Sequence, residues 1–119
     1  MVSKPEPILV AQALKELADT VKYIVSHGED EFKNRSSESD LLYLASCQVI
    51  IRLQAMIEDL PRQALAICED LPLAQVRGMR NRMTHGYLDI DKSLLWQTMS
   101  GDILPLIETL TNRILQTRG

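Results

Sequence analysis

The sequence predicts an all-α fold in one compact body, and three features of its composition support this. The chain has 119 residues, of which 45% are hydrophobic, enough for one domain with one core. Only 4% are aromatic, so the apolar content is mostly Leu, Ile, Val, Ala and Met, a mixture that favours helices over strands. Glycine and proline are sparse, at five each. We therefore expect residues 1–119 to form a single helical domain.

The first predicted helix follows Pro5 and Pro7. Its apolar residues recur at a spacing of three and four, which defines one helical face. They are Val10, Leu14, Leu17, Val21, Ile24 and Val25. The helix should end at "SHG", where Gly28 can take the left-handed conformation and His27 lies at the negative helix end. We interpret the polar run after it, "GEDEFKNRSSESD", as a loop or a frayed helix end anchored by Phe32.

The second predicted helix extends from Leu41 to Leu60 and has two overlapping apolar stripes. One comprises Leu42, Ala45, Val49, Leu53 and Met56, and the other comprises Leu41, Leu44, Ile51 and Ala55. A helix that is apolar over so much of its circumference is covered on more than one side, either centrally in a bundle or by the bundle and a partner subunit together. The preceding serines or Asp40 offer its N-cap.

Prolines divide the next part of the chain. Pro61 predicts the start of a short helix, "PRQALAICED", that Asp70 and Pro72 end. Another helix should begin at Pro72 and end at Gly86, just after His85. Its inward residues occur at helical spacing. They are Leu73, Val76, Met79 and Met83.

The last part of the chain predicts two helical pieces. In "IDKSLLW", Asp91 is the expected N-cap, and the apolar residues after it should enter the core. These residues are Leu94, Leu95 and Trp96. Gly101 and Pro105 interrupt the pattern before it resumes, so we expect a kinked or split last helix.

Charge and cysteine usage exclude several classes of protein. The formal net charge of -3 argues against a protein that coats nucleic acid through a broad cationic surface, so any phosphate contact must be local.

Cys47 and Cys68 lie in apolar helical patterns without CxxC spacing, which predicts buried free thiols and fits a reducing cytoplasm. No leader or stretch of membrane-spanning length is evident. The two histidines, His27 and His85, have no cysteine or carboxylate at ligand spacing, so no metal site is predicted.

Positive charge is concentrated in one segment, "RGMRNRMTHGY". No Asp or Glu occurs between Leu71 and Leu88, an interval that contains three arginines and a histidine. Helical spacing places Arg80 and Thr84 beside the core stripe. The same spacing aligns Arg77, Asn81 and His85 in a neighbouring row of a guanidinium, an amide and an imidazole, which suits a phosphate and a transferable proton.

The orientation of these groups raises a geometric question. On an ideal helix, residues five apart such as Arg80 and His85 are separated by roughly 140°. A single subunit would not direct the side chains of Arg80 and His85 at one atom unless the helix ends at that point. Two subunits related by a twofold axis could do so. A purely structural explanation is also open, because arginines near a helix C-terminus favourably meet the negative end of the dipole and His85 could cap the last carbonyls.

The segment "RNRMTHGY" matches the pattern R-N-x-x-x-H-x-Y, and its context "GMRNRMTHGYLDIDKSLLW" and the later "DILPLIETL" add to the match. In these residues the chain resembles HEPN-domain toxins of the HepT type, which are encoded beside a minimal nucleotidyltransferase antitoxin. The resemblance is strong from about Val76 to Leu110. The first half resembles the family mainly in its helical layout and around Phe32.

The resemblance implies an up-and-down helical bundle of about five helices that forms a homodimer, with the motifs of both subunits facing one cleft. It also implies metal-independent RNA cleavage without a cofactor. By position, Arg80 and His85 match the catalytic pair, and Asn81 matches the asparagine that supports it. Tyr87 matches the tyrosine that the partner enzyme modifies with AMP. Supporting phosphate contacts are assigned to Arg77, Arg82 and Thr84.

Three hypotheses follow. The first is the toxin ribonuclease of a toxin-antitoxin pair, neutralised by nucleotidyl transfer to Tyr87. The second is a non-catalytic helical module that docks to a nucleotidyltransferase and binds nucleotide in the cationic cleft; the acidic net charge and the scarcity of stacking aromatic residues favour it. The third is a dimeric bundle whose arginines only cap a helix.

Overall fold

The computed structural model describes residues 4–85 and 90–117. Within these two ranges the chain is helical and contains no strand, which confirms the predicted all-α class. The elements are α1 (Pro7–Ser26), α2 (Glu29–Lys33), α3 (Ser37–Glu58), α4 (Arg62–Ala66), α5 (Leu73–His85), α6 (Lys92–Gln97), a π-helical turn (Thr98–Asp102) and α7 (Ile103–Gln116). Three of them, α2, α4 and the π-helical turn, have only five residues each.

The core forms where α1 packs along α7 and where α3 packs against α1 on one side and α5 on the other. The predicted stripe of α1 is buried, apart from Val25, which is only partly covered. The residues that α7 contributes to the same core are Ile103, Leu106, Ile107, Leu110 and Ile114. Each fully buried aliphatic side chain of this kind contributes about 1.5–3 kcal/mol, so the α1–α7 contact is a main source of stability.

Only one of the two apolar stripes of α3 is buried. Leu42, Val49 and Leu53 belong to the core, but Leu41 and Leu44 of the second stripe are each 62% exposed. The expectation that both sides are covered is therefore not met within one chain. The helix also begins earlier than predicted, because the side chain of Ser36 caps it by accepting a hydrogen bond from the backbone N–H of Ser39 (3.1 Å).

The sequence pattern suggested that no segment reaches membrane-spanning length, but α3, at 22 residues, has both the length and the apolar content to do so. It carries four charged residues and packs against α1 and α5. The core helix of a bundle has the same length and composition, so this property alone is weak evidence for a membrane segment.

The polar run after α1, predicted as a loop or a frayed helix end, contains the short helix α2, a bend at residues 34–36 and the first turn of α3. Phe32 anchors it as expected, since its side chain is fully buried and its ring lies 5.3 Å from that of Trp96. The hydroxyl of Ser39 donates to the carbonyl of Phe32 (2.6 Å) and accepts from Nζ of Lys92 (2.9 Å). Gly28, between α1 and α2, has φ +87° but ψ 162°, so it is not in the left-handed helical region that we expected.

The end of α4 also differs from the prediction. Pro61 occupies the N-cap, and the helix ends at Ala66, before Asp70. Asp70 instead forms a two-point ion pair with Arg113 of α7, with N–O distances of 2.5 and 2.9 Å. The hydrogen bonds from Arg113 hold the pKa of Asp70 below its usual value. Asp70 therefore connects the α4–α5 segment to the last helix.

The two cysteines are both free thiols, as predicted, but they differ in burial. Cys68 is fully buried, whereas Cys47 is only partly so. Burial raises the pKa of both thiols, which disfavours the reactive thiolate.

The final helical region is interrupted at the predicted place. A π-helical turn that includes Gly101 separates α6 from α7, and Pro105 lies in the first turn of α7. Proline cannot donate the backbone hydrogen bond to residue 101, and the wider turn accommodates that missing bond. Asp91 caps α6 as expected by accepting from the N–H of Ser93 (2.8 Å). Leu94, however, is 44% exposed and does not enter the core.

Candidate functional site

Helix α5 presents its apolar face to α3 and its cationic residues elsewhere. Val76 and Met83 are buried and Met79 is partly buried, so the predicted inward face is confirmed. Arg82 and His85 occupy its last turn. Positive charge there is favourable because it meets the negative end of the helix dipole.

The site residues predicted from the sequence occupy two environments on α5. Arg80 is partly buried, with 27% of its side chain exposed. The others are exposed: Arg77, Asn81, Arg82, Thr84 and His85. Arg80 alone therefore lies at the border of the core, where a guanidinium can be held in a defined orientation.

Two side chains orient Arg80. Its Nε donates to Oδ1 of Asn81 over 2.9 Å, and its Nη2 lies 3.6 Å from Oε1 of Glu58, the last residue of α3. The same Oε1 accepts a hydrogen bond from Nε2 of Gln54 over 3.2 Å. Two hydrogen bonds and one ion pair thus connect α3 to α5 through these four side chains.

Glu58 and Gln54 were not predicted as site residues. Two weak signals were present in the sequence. A carboxylate at the C-terminal end of a helix is disfavoured by the helix dipole, and a glutamine next to an apolar stripe is costly to bury. Neither signal identifies a partner, because the pairing with Arg80 depends on how α3 and α5 pack together.

Thr84 uses its hydroxyl locally. Its Oγ1 donates to backbone carbonyls of its own helix, those of Arg80 (3.2 Å) and Asn81 (3.1 Å). A hydroxyl has a single hydrogen to donate, so this geometry competes with donation to a phosphate.

His85 is the last residue of α5 and of the first described range. It is exposed, and within the described ranges its imidazole has no hydrogen-bond or ion-pair partner. Because the helix continues to His85, the side chains of Arg80 and His85 leave it roughly 140° apart. One copy of α5 therefore does not point both groups at the same atom. Gly86, the predicted helix terminator, and Tyr87, the predicted modification site, lie outside the described residues.

A cleft of about 270 Å³ lies where α3, α4 and α5 meet, next to the Glu58–Arg80 pair. Its volume is close to the lower limit of ligand-binding pockets, about 300 Å³. The lining residues are Gln54, Ile57, Glu58, Leu65, Leu73, Ala74 and Arg77. The cleft thus has apolar walls with one amide, one carboxylate and one guanidinium.

Among the residues of 4–85 and 90–117, no cluster of three or more His, Cys, Asp or Glu side chains could hold a metal ion.

Comparison with known proteins gives one match. A family model described as ribonuclease HepT-like matches residues 12–113, which is more than half of the chain and includes all of α5. No curated protein and no solved structure matches the sequence.

Proposed function

The chain belongs to the HepT-like ribonuclease family, and on this premise we propose that it is the toxin ribonuclease of a toxin-antitoxin pair. One observation carries the proposal. The family match includes α5, on which a partly buried arginine, fixed by two neighbours, precedes an exposed histidine in the last turn. An arginine can bind a phosphodiester and stabilise its charge, and a histidine can transfer the proton that the cleavage moves.

The proposed reaction is metal-independent transesterification of RNA. An imidazole can both accept and donate a proton, so His85 can take the proton of the ribose 2′-hydroxyl or give a proton to the departing 5′-oxygen. The 2′-oxygen forms a bond to phosphorus while the bond from phosphorus to the 5′-oxygen breaks. Arg80 binds the phosphate and stabilises the charge that builds on it. The products are a 2′,3′-cyclic phosphate and a free 5′-hydroxyl.

The proposed active site contains both subunits of a homodimer. The roughly 140° between Arg80 and His85 on α5 supports this, because a second copy across a twofold axis can supply the missing group. The exposed second stripe of α3 supports it as well, since Leu41 and Leu44 form an apolar surface that a partner subunit can cover. Asn81 orients Arg80 through its 2.9 Å hydrogen bond, and Arg77 and Arg82 add positive potential for the RNA strand.

We assign neutralisation to a nucleotidyltransferase antitoxin that transfers AMP from ATP to the phenolic oxygen of Tyr87 in the cytoplasm and releases pyrophosphate. Tyr87 follows His85 by two positions, so a phosphate attached to that oxygen is close in the chain to the proposed catalytic groups. The added anion can pair with Arg80 or Arg77 and thereby occupy the groups that bind RNA.

A second candidate function is a non-catalytic module that docks to a nucleotidyltransferase and binds nucleotide. The cleft of about 270 Å³ favours it, because apolar walls with one guanidinium, from Arg77, suit a base and a phosphate. The net charge of -3 is also unusual for a protein that binds RNA, because RNA carries negative phosphates.

Cleavage of a labelled RNA by the purified chain distinguishes the two functions. We expect wild type to cleave, and His85→Ala and Arg80→Ala to lose cleavage. Arg62→Ala is the matched control, because it removes an exposed arginine at the start of α4 and should retain full activity. A wild-type chain that binds nucleotide but leaves RNA intact would support the docking module instead.

A further inference from the structure

The Glu58 carboxylate connects α3 to the proposed phosphate-binding arginine on α5. We propose that Glu58 is a positioning residue for Arg80 and that Gln54 holds Glu58 in place. This inference rests on the proposed ribonuclease function and extends it, because it assigns the orientation of the phosphate-binding group to residues outside the motif. Three measured contacts carry it: Gln54 to Glu58 (3.2 Å), Glu58 to Arg80 (3.6 Å) and Arg80 to Asn81 (2.9 Å).

The position of Glu58 is unfavourable for its own helix. It is the last residue of α3, where the backbone carbonyls make the helix end negative, and the last turn of α3 contains no basic residue. The cation that offsets the charge of Glu58 is the guanidinium of Arg80, on the other side of the α3–α5 contact. Glu58 is therefore better explained by its contact with α5 than by any contribution to α3.

Gln54 provides the second, independent observation. It is 4% exposed, and its Nε2 donates to Glu58, but its buried Oε1 has no hydrogen-bond partner within the described residues. A buried acceptor without a partner destabilises the fold, so a leucine of similar size would be more favourable there. The amide at this position thus costs stability and has one visible use, which is to fix the carboxylate of Glu58.

The arrangement orients Arg80 without blocking it. A guanidinium has five N–H donors in one plane, and the contacts with Asn81 and Glu58 use Nε and Nη2. The remaining donors are available to two phosphate oxygens. A 3.6 Å pair with a half-exposed carboxylate is weak, so an incoming phosphate can compete with it. The role of Glu58 is therefore to fix the plane in which the guanidinium of Arg80 binds the phosphate.

Steady-state cleavage by Glu58→Ala, Glu58→Gln and Gln54→Leu tests this role. For Glu58→Ala we expect kcat to fall about 2- to 5-fold, because a partly exposed ion pair is weak, while KM does not rise. Glu58→Gln retains the shape and an acceptor oxygen and should lose less. Gln54→Leu should lower kcat and yet raise Tm, a combination that misfolding cannot produce. Glu69→Gln is the control, because it removes an exposed carboxylate on another segment and should change neither quantity.

The exchange rate of the Arg80 Nε proton, followed by NMR in the ¹⁵N-labelled full chain, separates failure of this inference from failure of the proposed function. The signal is assigned by its loss in Arg80→Lys. We expect several-fold faster exchange in Glu58→Ala than in wild type, whether or not the wild-type chain cleaves RNA. Unchanged exchange in Glu58→Ala, or a Gln54→Leu variant that is more stable with full kcat, would overturn the positioning role.

Discussion

Arg80 donates a hydrogen bond from its Nε to the side-chain oxygen of its neighbour Asn81 over 2.9 Å. Consecutive residues on a helix leave it about 100° apart, so this bond joins the partly buried border of α5 to its exposed face. The asparagine oxygen acts here as an acceptor from the guanidinium, which leaves its second lone pair and its amide N–H groups for other partners. The bond supports the proposal that Asn81 orients Arg80 and does not transfer a proton.

Asn81→Ala should therefore impair RNA cleavage less than His85→Ala. Loss of one orienting hydrogen bond of about 1 kcal/mol lowers kcat/KM roughly fivefold. Loss of a general acid or base lowers it about 10²- to 10⁴-fold. Both variants and wild type are compared on one labelled RNA. An Asn81→Ala enzyme as inactive as His85→Ala would assign the amide a direct part in the chemistry.

The exposed stripe of α3 should mediate dimerisation. Leu44→Glu places a charge in the middle of an apolar surface and should convert a dimer to a monomer at micromolar concentration, with loss of cleavage. Leu9→Glu is the matched control, because Leu9 is a 53% exposed leucine on α1, outside this stripe. Sedimentation measures both. A wild-type chain that sediments as a monomer and still cleaves RNA would exclude the composite site.

The ion pair between Asp70 and Arg113 should make stability depend on pH. The pKa of Asp70 is lowered in the folded state by hydrogen bonds from Arg113, so the stabilisation is present above the unfolded value of about 3.9 and is lost as pH falls through the folded value. Asp70→Asn should lower Tm at pH 7, and the difference from wild type should disappear at strongly acidic pH.

The control for this prediction is Glu69→Gln, which neutralises an exposed carboxylate next to Asp70 in the sequence. It should leave Tm nearly unchanged at pH 7. An Asp70→Asn variant whose Tm deficit stays constant from neutral to strongly acidic pH would show that the loss comes from packing rather than from the charge of the carboxylate.

Tyr87, which lies outside the described residues, should accept AMP from the antitoxin. Incubation with the proposed nucleotidyltransferase partner, ATP and magnesium should add one adenylyl mass to wild type and abolish cleavage. Tyr87→Phe should show neither change. Tyr23→Phe, which alters a 68% exposed tyrosine on α1, should behave as wild type. An adenylyl group on another residue, or a modified Tyr87 chain that still cleaves RNA, contradicts the switch.

The helical faces could be predicted from the sequence because burial follows the helical period. Val10 to Ile24 on α1 and Val76 to Met83 on α5 lie where their spacing placed them. The start of α3 could be predicted only as one of the serines or Asp40, because its first turn is polar and has no apolar period to detect; Ser36 is the residue that caps it. Similarly, α4 ends at Ala66, and the carbonyl of its C-cap residue, Ile67, accepts a hydrogen bond from Arg113 of a helix more than forty positions away.

The candidate site was predictable only in part. The motif placed Arg80 and His85 on one helix, and the period showed that they diverge, but no pattern in the sequence connects Arg80 with Glu58 or Gln54. That connection arises from the packing of α3 on α5, which brings together residues that are 22 and 26 positions from Arg80. Periodicity predicts which face of a helix is buried. It does not predict which residue of another helix contacts that face.

The most direct test of the ribonuclease account is the chemistry of the RNA ends that the purified chain produces in excess chelator. The account predicts cleavage by wild type that leaves 2′,3′-cyclic phosphate and 5′-hydroxyl termini, and no cleavage by His85→Ala. Cleavage that requires an added divalent ion, or that leaves a 5′-phosphate, would contradict it.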